Sequence, residues 1–341
     1  MVNKRLILAV AGSGKTKYLI DNLDLEQRFL IVTYTNTSLN LIKSRIFKKF
    51  GFYPTNIKTK TYFEFIYGFC IKPSLLFKHK LKGIDWNRPP EFTTFLPKTN
   101  LNKYLTTKKY LYHNRLGQFA EFENIIIDIN KRLEMFYDHF FYDEFQDLGG
   151  HDFNFMMQIV QANINFLFVG DFFQHTYVTS FDGRTNNTLY SNLKDYSHKI
   201  HFFNIRIDDK ILSHSYRCSP TICRFVTQNL GINIESHRKE ETEIIFVQNR
   251  EFALEIINNS NIIKLVYDKS DKRNFLSKNW GDCKGEDDYN DTCIILNKTT
   301  AKIFAKSKFE DLKPRTKNKL YVALTRTKGN CYIIDDDLIN N

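Results

Sequence analysis

The stretch AVAGSGKT, residues 9–16, decides how this chain of 341 residues is read. It follows an apolar run at residues 6–10 and opens an amphipathic stretch near Lys15, so a buried strand, a glycine turn and a helix are expected in succession. A phosphate-binding loop requires that context. Gly12 and Gly14 let backbone N–H groups converge on a β-phosphate, Lys15 adds a point charge near the β and γ oxygens, and Thr16 supplies a hydroxyl for Mg²⁺. Ala11, Gly12, Ser13, Gly14, Lys15 and Thr16 are therefore the expected nucleotide-binding residues.

The same alternation continues along the chain. Short apolar runs at residues 29–33, 140–143, 166–169 and 201–205 are each set off by polar turns and helix-like stretches, which argues for an α/β fold with a parallel sheet. Beyond Arg217 a second set, at residues 243–247, 262–267, 292–296 and 331–334, can form its own sheet. Two domains are expected, divided near Asp208: residues 1–66 with 139–208, and residues 209–341. Residues 67–138 read as a small insertion that projects from the first sheet, because the pattern fails around Pro73, Pro89, Pro90 and Pro97. The charged, glycine-containing stretch 268–291 reads as a functional or mobile loop.

Composition limits the partners. The chain is 42% hydrophobic and 15% aromatic, enough for two cores and too much for a disordered chain. Its 49 Lys and Arg against 38 Asp and Glu leave a net charge of +11, which favours a polyanion, nucleic acid being the commonest. These charges are spread along the chain and form no long basic tail. The six cysteines include no CxxC pair and no His at zinc-ligand spacing, so reduced, buried thiols are expected. The opening MVNKRLILAV is too short for a signal segment and no run reaches membrane-spanning length, which points to the cytosol, or to a host cytosol for a viral chain.

Two further runs place polar side chains at strand ends. In FFYDEFQD, residues 140–147, Asp143 is positioned to hold Mg²⁺, usually through water, and Glu144 to accept a proton from an attacking water. In FLFVGDFFQ, residues 166–174, Gln174 faces the same crevice edge and can bond both a γ-phosphate and water. The acids Asp282, Glu286, Asp287 and Asp288 raise a metal-dependent nuclease as an alternative. It is disfavoured, because no nearby Lys completes a nuclease arrangement.

In that order, AVAGSGKT, DEFQD and VGDFFQ resemble motifs I, II and III of the UvrD, Rep and PcrA group of superfamily 1 DNA helicases. Thr33-Tyr34-Thr35-Asn36 resembles motif Ia, and Thr61-Tyr62 falls where the next DNA-contacting motif is expected. LSHSYRCS, residues 212–219, resembles motif IV, which implies that Tyr216 stacks on adenine and Arg217 reaches the γ-phosphate. LYVALTRT, residues 320–327, is similar to motif VI and implies a second arginine finger at Arg326. GDCKGE, residues 281–286, keeps the Lys-Gly pair of motif V but lacks its preceding His and following Leu-Glu-Phe.

The resemblance implies two RecA-like phosphate-loop NTPase domains with ATP and Mg²⁺ bound between them, and 3′-to-5′ movement on single-stranded DNA or a tailed duplex. It implies catalytic roles for Lys15, Asp143, Glu144, Gln174, Arg217 and Arg326, and DNA contacts from Thr33, Tyr34, Asn36, Thr61, Tyr62, Tyr177 and Lys284. Three departures stand out. Val10 replaces a usual glycine, the upstream glutamine motif that reads adenine is absent, and the space from Arg217 to Lys284 is too short for the family's large accessory domain. A stripped motor is expected. The alternative is a DNA-stimulated ATPase subunit that regulates a nuclease, defence or replication partner and unwinds little alone. A nucleotide kinase or GTPase would leave the glutamines of DEFQD and GDFFQ and the two late arginines unexplained.

Overall fold

The computed structural model describes residues 2–176, 185–284 and 289–340. Tyr177, Glu286, Asp287 and Asp288, singled out above, lie outside the described residues. The chain forms two compact units: Met1–Ile7, Thr16–Gly170 and Val178–Asp208 make the first, and Leu8–Lys15, Asp171–Tyr177 and Asp209–Asn341 the second.

The first unit is built on a six-stranded sheet. Its strands are β1 (Lys4–Leu8), β2 (Phe29–Thr33), β3 (Ile57–Thr61), β6 (His139–Tyr142), β7 (Asn165–Gly170) and β8 (Arg206–Asp208), in the order β3-β2-β6-β7-β1-β8. Neighbours β2 and β3, β2 and β6, β6 and β7, and β1 and β8 run parallel. All five residues of β2, FLIVT, are buried, as expected for a strand covered on both faces. The edge strand β3, IKTKT, buries only its two ends, so its sequence has no apolar run to reveal it.

Residues 201–205, expected as a strand, are not one. The side chain of Asn192 accepts from the N–H groups of Lys194 and Asp195 and starts the helix Leu193–Phe202, which buries Tyr196 and Ile200, four residues apart on one face. The strand forms only afterwards, as β8.

The insertion 67–138 contains the helix Lys72–His79, a short parallel pair, β4 (Gly83–Asp85) with β5 (Tyr110–Tyr112), and the helices Leu116–Phe122 and Ile126–Phe136. It does not project as a whole. Leu116, Phe119 and Ala120 are fully buried, and Gly117 lies so close to the helix Gly150–Ile159 that a Cβ there would sit 2.9 Å from Phe155 Cβ.

In the second unit, β9 (His214–Ser215) pairs in parallel with β10 (Glu235–Ser236). The main sheet comprises β11 (Ile244–Val247), β12 (Ile263–Val266), β13 (Ser277–Asn279), β14 (Thr292–Leu296) and β15 (Cys331–Asp335). Its order is β11-β15-β14-β12-β13, parallel throughout. The stretch 268–291, expected as a functional or mobile loop, is in part a sheet element. It contributes β13 and buries Trp280 completely, with the indole Nε1 donating to Leu265 O at 3.0 Å. The thiols of Cys70, Cys218, Cys223, Cys283, Cys293 and Cys331 are free and buried. Among the described residues no helix is long and apolar enough to cross a membrane.

Candidate functional site

The glycine loop turns as its composition requires. Gly12 and Gly14 have φ of +71° and +85°, in the left-handed region that favours glycine, and Ser13 Oγ donates to Val10 O at 2.8 Å. Gly12 is constrained twice, since a Cβ would lie 2.7 Å from Ser215 Oγ and 2.8 Å from Arg217 Cβ. The loop was expected to belong with residues 1–66, yet residues 8–15 group with the second unit. Three hydrogen bonds account for this: Val10 N donates to Leu212 O (3.0 Å), Ala11 N to Tyr321 Oη (2.9 Å), and Tyr216 N to Gly12 O (2.9 Å).

Within the first unit, Thr16 and the end of β6 meet. Thr16 Oγ1 donates to Asp143 Oδ2 at 2.8 Å, and Asp143 is buried, its own N–H continuing the sheet to Val32 O at 2.9 Å. Glu144 follows in a left-handed conformation, φ 59° and ψ 46°, which is costly for a residue with a side chain. Gln146 Nε2 donates to its carboxylate. Gly170 makes room for that glutamine: a Cβ there would come within 2.6 Å of Gln146 Oε1.

The second unit gathers the remaining residues. Tyr321 Oη, which accepts from Ala11, donates to Asp171 Oδ2 at 3.0 Å, linking the glycine loop to the turn that carries buried Gln174. Arg217 Nη1 donates to Thr325 O at 3.0 Å. Arg326 is buried, with Nε donating to Val322 O (3.3 Å) and Nη1 to Cys283 O (3.4 Å). Tyr216 is 65% exposed and stacks on His237, ring centroids 4.0 Å apart and planes at 18°. A ring backed on one face and open to solvent suits a base-stacking role.

The expected nucleic-acid residues divide by exposure. Thr33 and Thr61 are register partners at the ends of β2 and β3, and both are buried, while Tyr34 is half-buried and Asn36 exposed. Tyr62 is fully buried and stacks on Tyr34 at 6.0 Å. Its ring therefore supports Tyr34 and is not itself open to a base, which corrects its expected role. Lys284 is half-buried. Ser215, Gln146 and Tyr321 were missed as site residues. Tyr321 lies inside the quoted motif VI stretch, but its partner Ala11 is 310 residues away, so only the fold pairs them.

Over 98% of its length the chain matches arterivirus nonstructural protein 10, a helicase solved in complex with DNA, at TM-score 0.52 and 13% identity, covering 62% of that protein. A second structure of arterivirus nonstructural protein 10 matches at TM-score 0.51 and 13% identity, over 98% of this chain and 61% of that one. The fold is that of a helicase. This helicase fold, with its parallel sheets, is of the RecA-like kind, and the chain spans about three fifths of the length of these neighbours. No family model and no curated protein sequence matches the chain. At this identity the likeness shows the fold alone and does not reach the UvrD, Rep and PcrA group that the motifs suggested.

Proposed function

We propose that the chain is an ATP-dependent single-stranded DNA translocase or helicase of superfamily 1. The observation that carries this reading is the Thr16 hydroxyl 2.8 Å from the Asp143 carboxylate, at the head of a loop whose two glycines adopt left-handed φ. These two hard oxygen donors fit Mg²⁺, whose charge would offset that of the phosphates. Lys15 and the loop amides bind the phosphates, Glu144 takes the proton of the attacking water, and Gln174 orients that water. Arg217 and Arg326 stabilise charge on the transferring phosphoryl group, and Tyr216 stacks on the base. The motif resemblance further implies that ATP hydrolysis is coupled to domain motion. The 3′-to-5′ direction rests on the motif resemblance.

ATP turnover with single-stranded DNA present is the test. Lys15→Ala and Glu144→Gln are each expected to lower it by about 10²-fold or more, and wild-type turnover in either variant would overturn the assignment. If saturating single strand leaves the wild-type rate unchanged across a range of salt, the translocase reading falls and the ATPase stands.

One observation favours a regulatory ATPase subunit as the second reading. From Arg217 to Lys284 the described residues build only the helices Pro220–Leu230 and Arg250–Asn258, one short 3₁₀ turn and strands β10–β13, with no separate accessory domain. Stimulated turnover without strand displacement on a tailed duplex would select that reading.

A further inference from the structure

Strands β4 and β5 of the insertion run parallel with Asp85 opposite Tyr112, so Trp86 and His113 are the residues that immediately follow the ends of the two paired strands. Their rings stack at 6.0 Å and 25°. The indole also meets Phe63 edge-on at 4.6 Å, and Phe63 packs against Tyr34 (5.7 Å) and Tyr62 (5.6 Å). These rings form a graded series that starts at the ends of β2 and β3. Tyr62 is buried, Phe63 and Tyr34 are half-buried, and Trp86 is 60% exposed. An exposed indole held by neighbouring rings loses little rotamer entropy when it stacks on something else.

Charge in the segment that carries Trp86 is not spread as evenly as whole-chain composition suggests. Residues 72–115 hold ten Lys and Arg against two acids, Asp85 and Glu91, and so carry eight of the chain's eleven net positive charges. Lys80, Lys82, Arg88, Lys98, Lys108 and Lys109 are exposed. An aromatic platform among cations is what unstacked bases on a phosphate backbone require. An apolar protein partner would not call for the lysines, and a duplex has no free base face to offer.

We propose that the insertion carries a base-stacking site for single-stranded nucleic acid, with Trp86 as its platform and exposed cations of the same segment on the phosphates. This site rests on the nucleic-acid reading given above and extends it from the strand ends onto the insertion.

The chain has two tryptophans, and Trp280 is buried, so a change in indole emission on adding oligothymidylate reports Trp86. Wild-type emission is quenched on titration. Trp86→Phe removes the quench while binding of a labelled oligonucleotide, followed by anisotropy, stays within a few-fold. Trp86→Ala weakens binding by roughly 5- to 150-fold, and neither variant changes ATP turnover without nucleic acid. Wild-type affinity in Trp86→Ala, or oligonucleotide binding without a quench, overturns the Trp86 site and leaves the motor reading intact. A stronger response to blunt duplex than to single strand also overturns it. Failure of the wild-type chain to bind any oligonucleotide removes the nucleic-acid reading together with the site.

Discussion

At Gly12 two demands meet in one residue, a φ of +71° and a contact surface with Ser215 and Arg217. The Ser215 hydroxyl can rotate away from an added methyl, but Arg217 Cβ is fixed to the backbone. Gly12→Ala therefore moves the backbone of the loop or of residue 217. Left-handed φ alone costs an alanine about 1–2 kcal/mol. The expected outcome is at least a ten-fold loss in affinity for a fluorescent ATP analogue with a small shift in melting temperature. An unchanged affinity would show that the loop tolerates the methyl. Glu144 presents the opposite case, a side chain kept at positive φ although glycine would be easier there. In the proposed function its carboxylate is the reason to bear that cost, and Gln146 Nε2 donates to it.

Helix contact in the first unit is equally intolerant of volume. The helix Leu116–Phe122 approaches the helix Gly150–Ile159 through Gly117, and Gly117→Ala is expected to lower stability by about 1–3 kcal/mol, read from urea denaturation. If the urea midpoint is unchanged, the helices can separate freely. Gly117 sits in a stretch where the sequence pattern showed only an insertion. Elements with a continuous apolar run, such as β2 and β14, were legible because burial on both faces demands such runs. β3 was hidden by its lysines, and residues 201–205 misled because a buried helix face and a short strand look alike over five residues. The site divides the same way. Lys15, Thr16, Asp143 and Glu144 lie in contiguous motifs whose chemistry is local, whereas Tyr321 and Ser215 act through partners brought together only by folding.

Across the whole molecule, stability should depend on pH through one buried acid. Burial pushes the Asp152 carboxyl up to about 7, with the adjacent Tyr62 hydroxyl offsetting only part of that cost. The unfolded chain loses this proton near 3.8, so between about 4 and 7 the folded state holds a proton that the unfolded state has released. Its contribution is therefore most favourable at low pH, declines as pH rises through that window and is flat above it. The change is at most about 4 kcal/mol. Urea midpoints measured from pH 5 to 8 should fall with rising pH in the wild-type chain and flatten in Asp152→Asn, and parallel profiles would assign the dependence to other groups. Finally, six thiols sealed in the interior leave the native surface inert to maleimides. A cysteine introduced at exposed Lys131 in the first unit and another at exposed Lys239 in the second would become the only attachment points for a dye pair. Energy transfer between them could then follow the two units through a turnover cycle with every native cysteine kept.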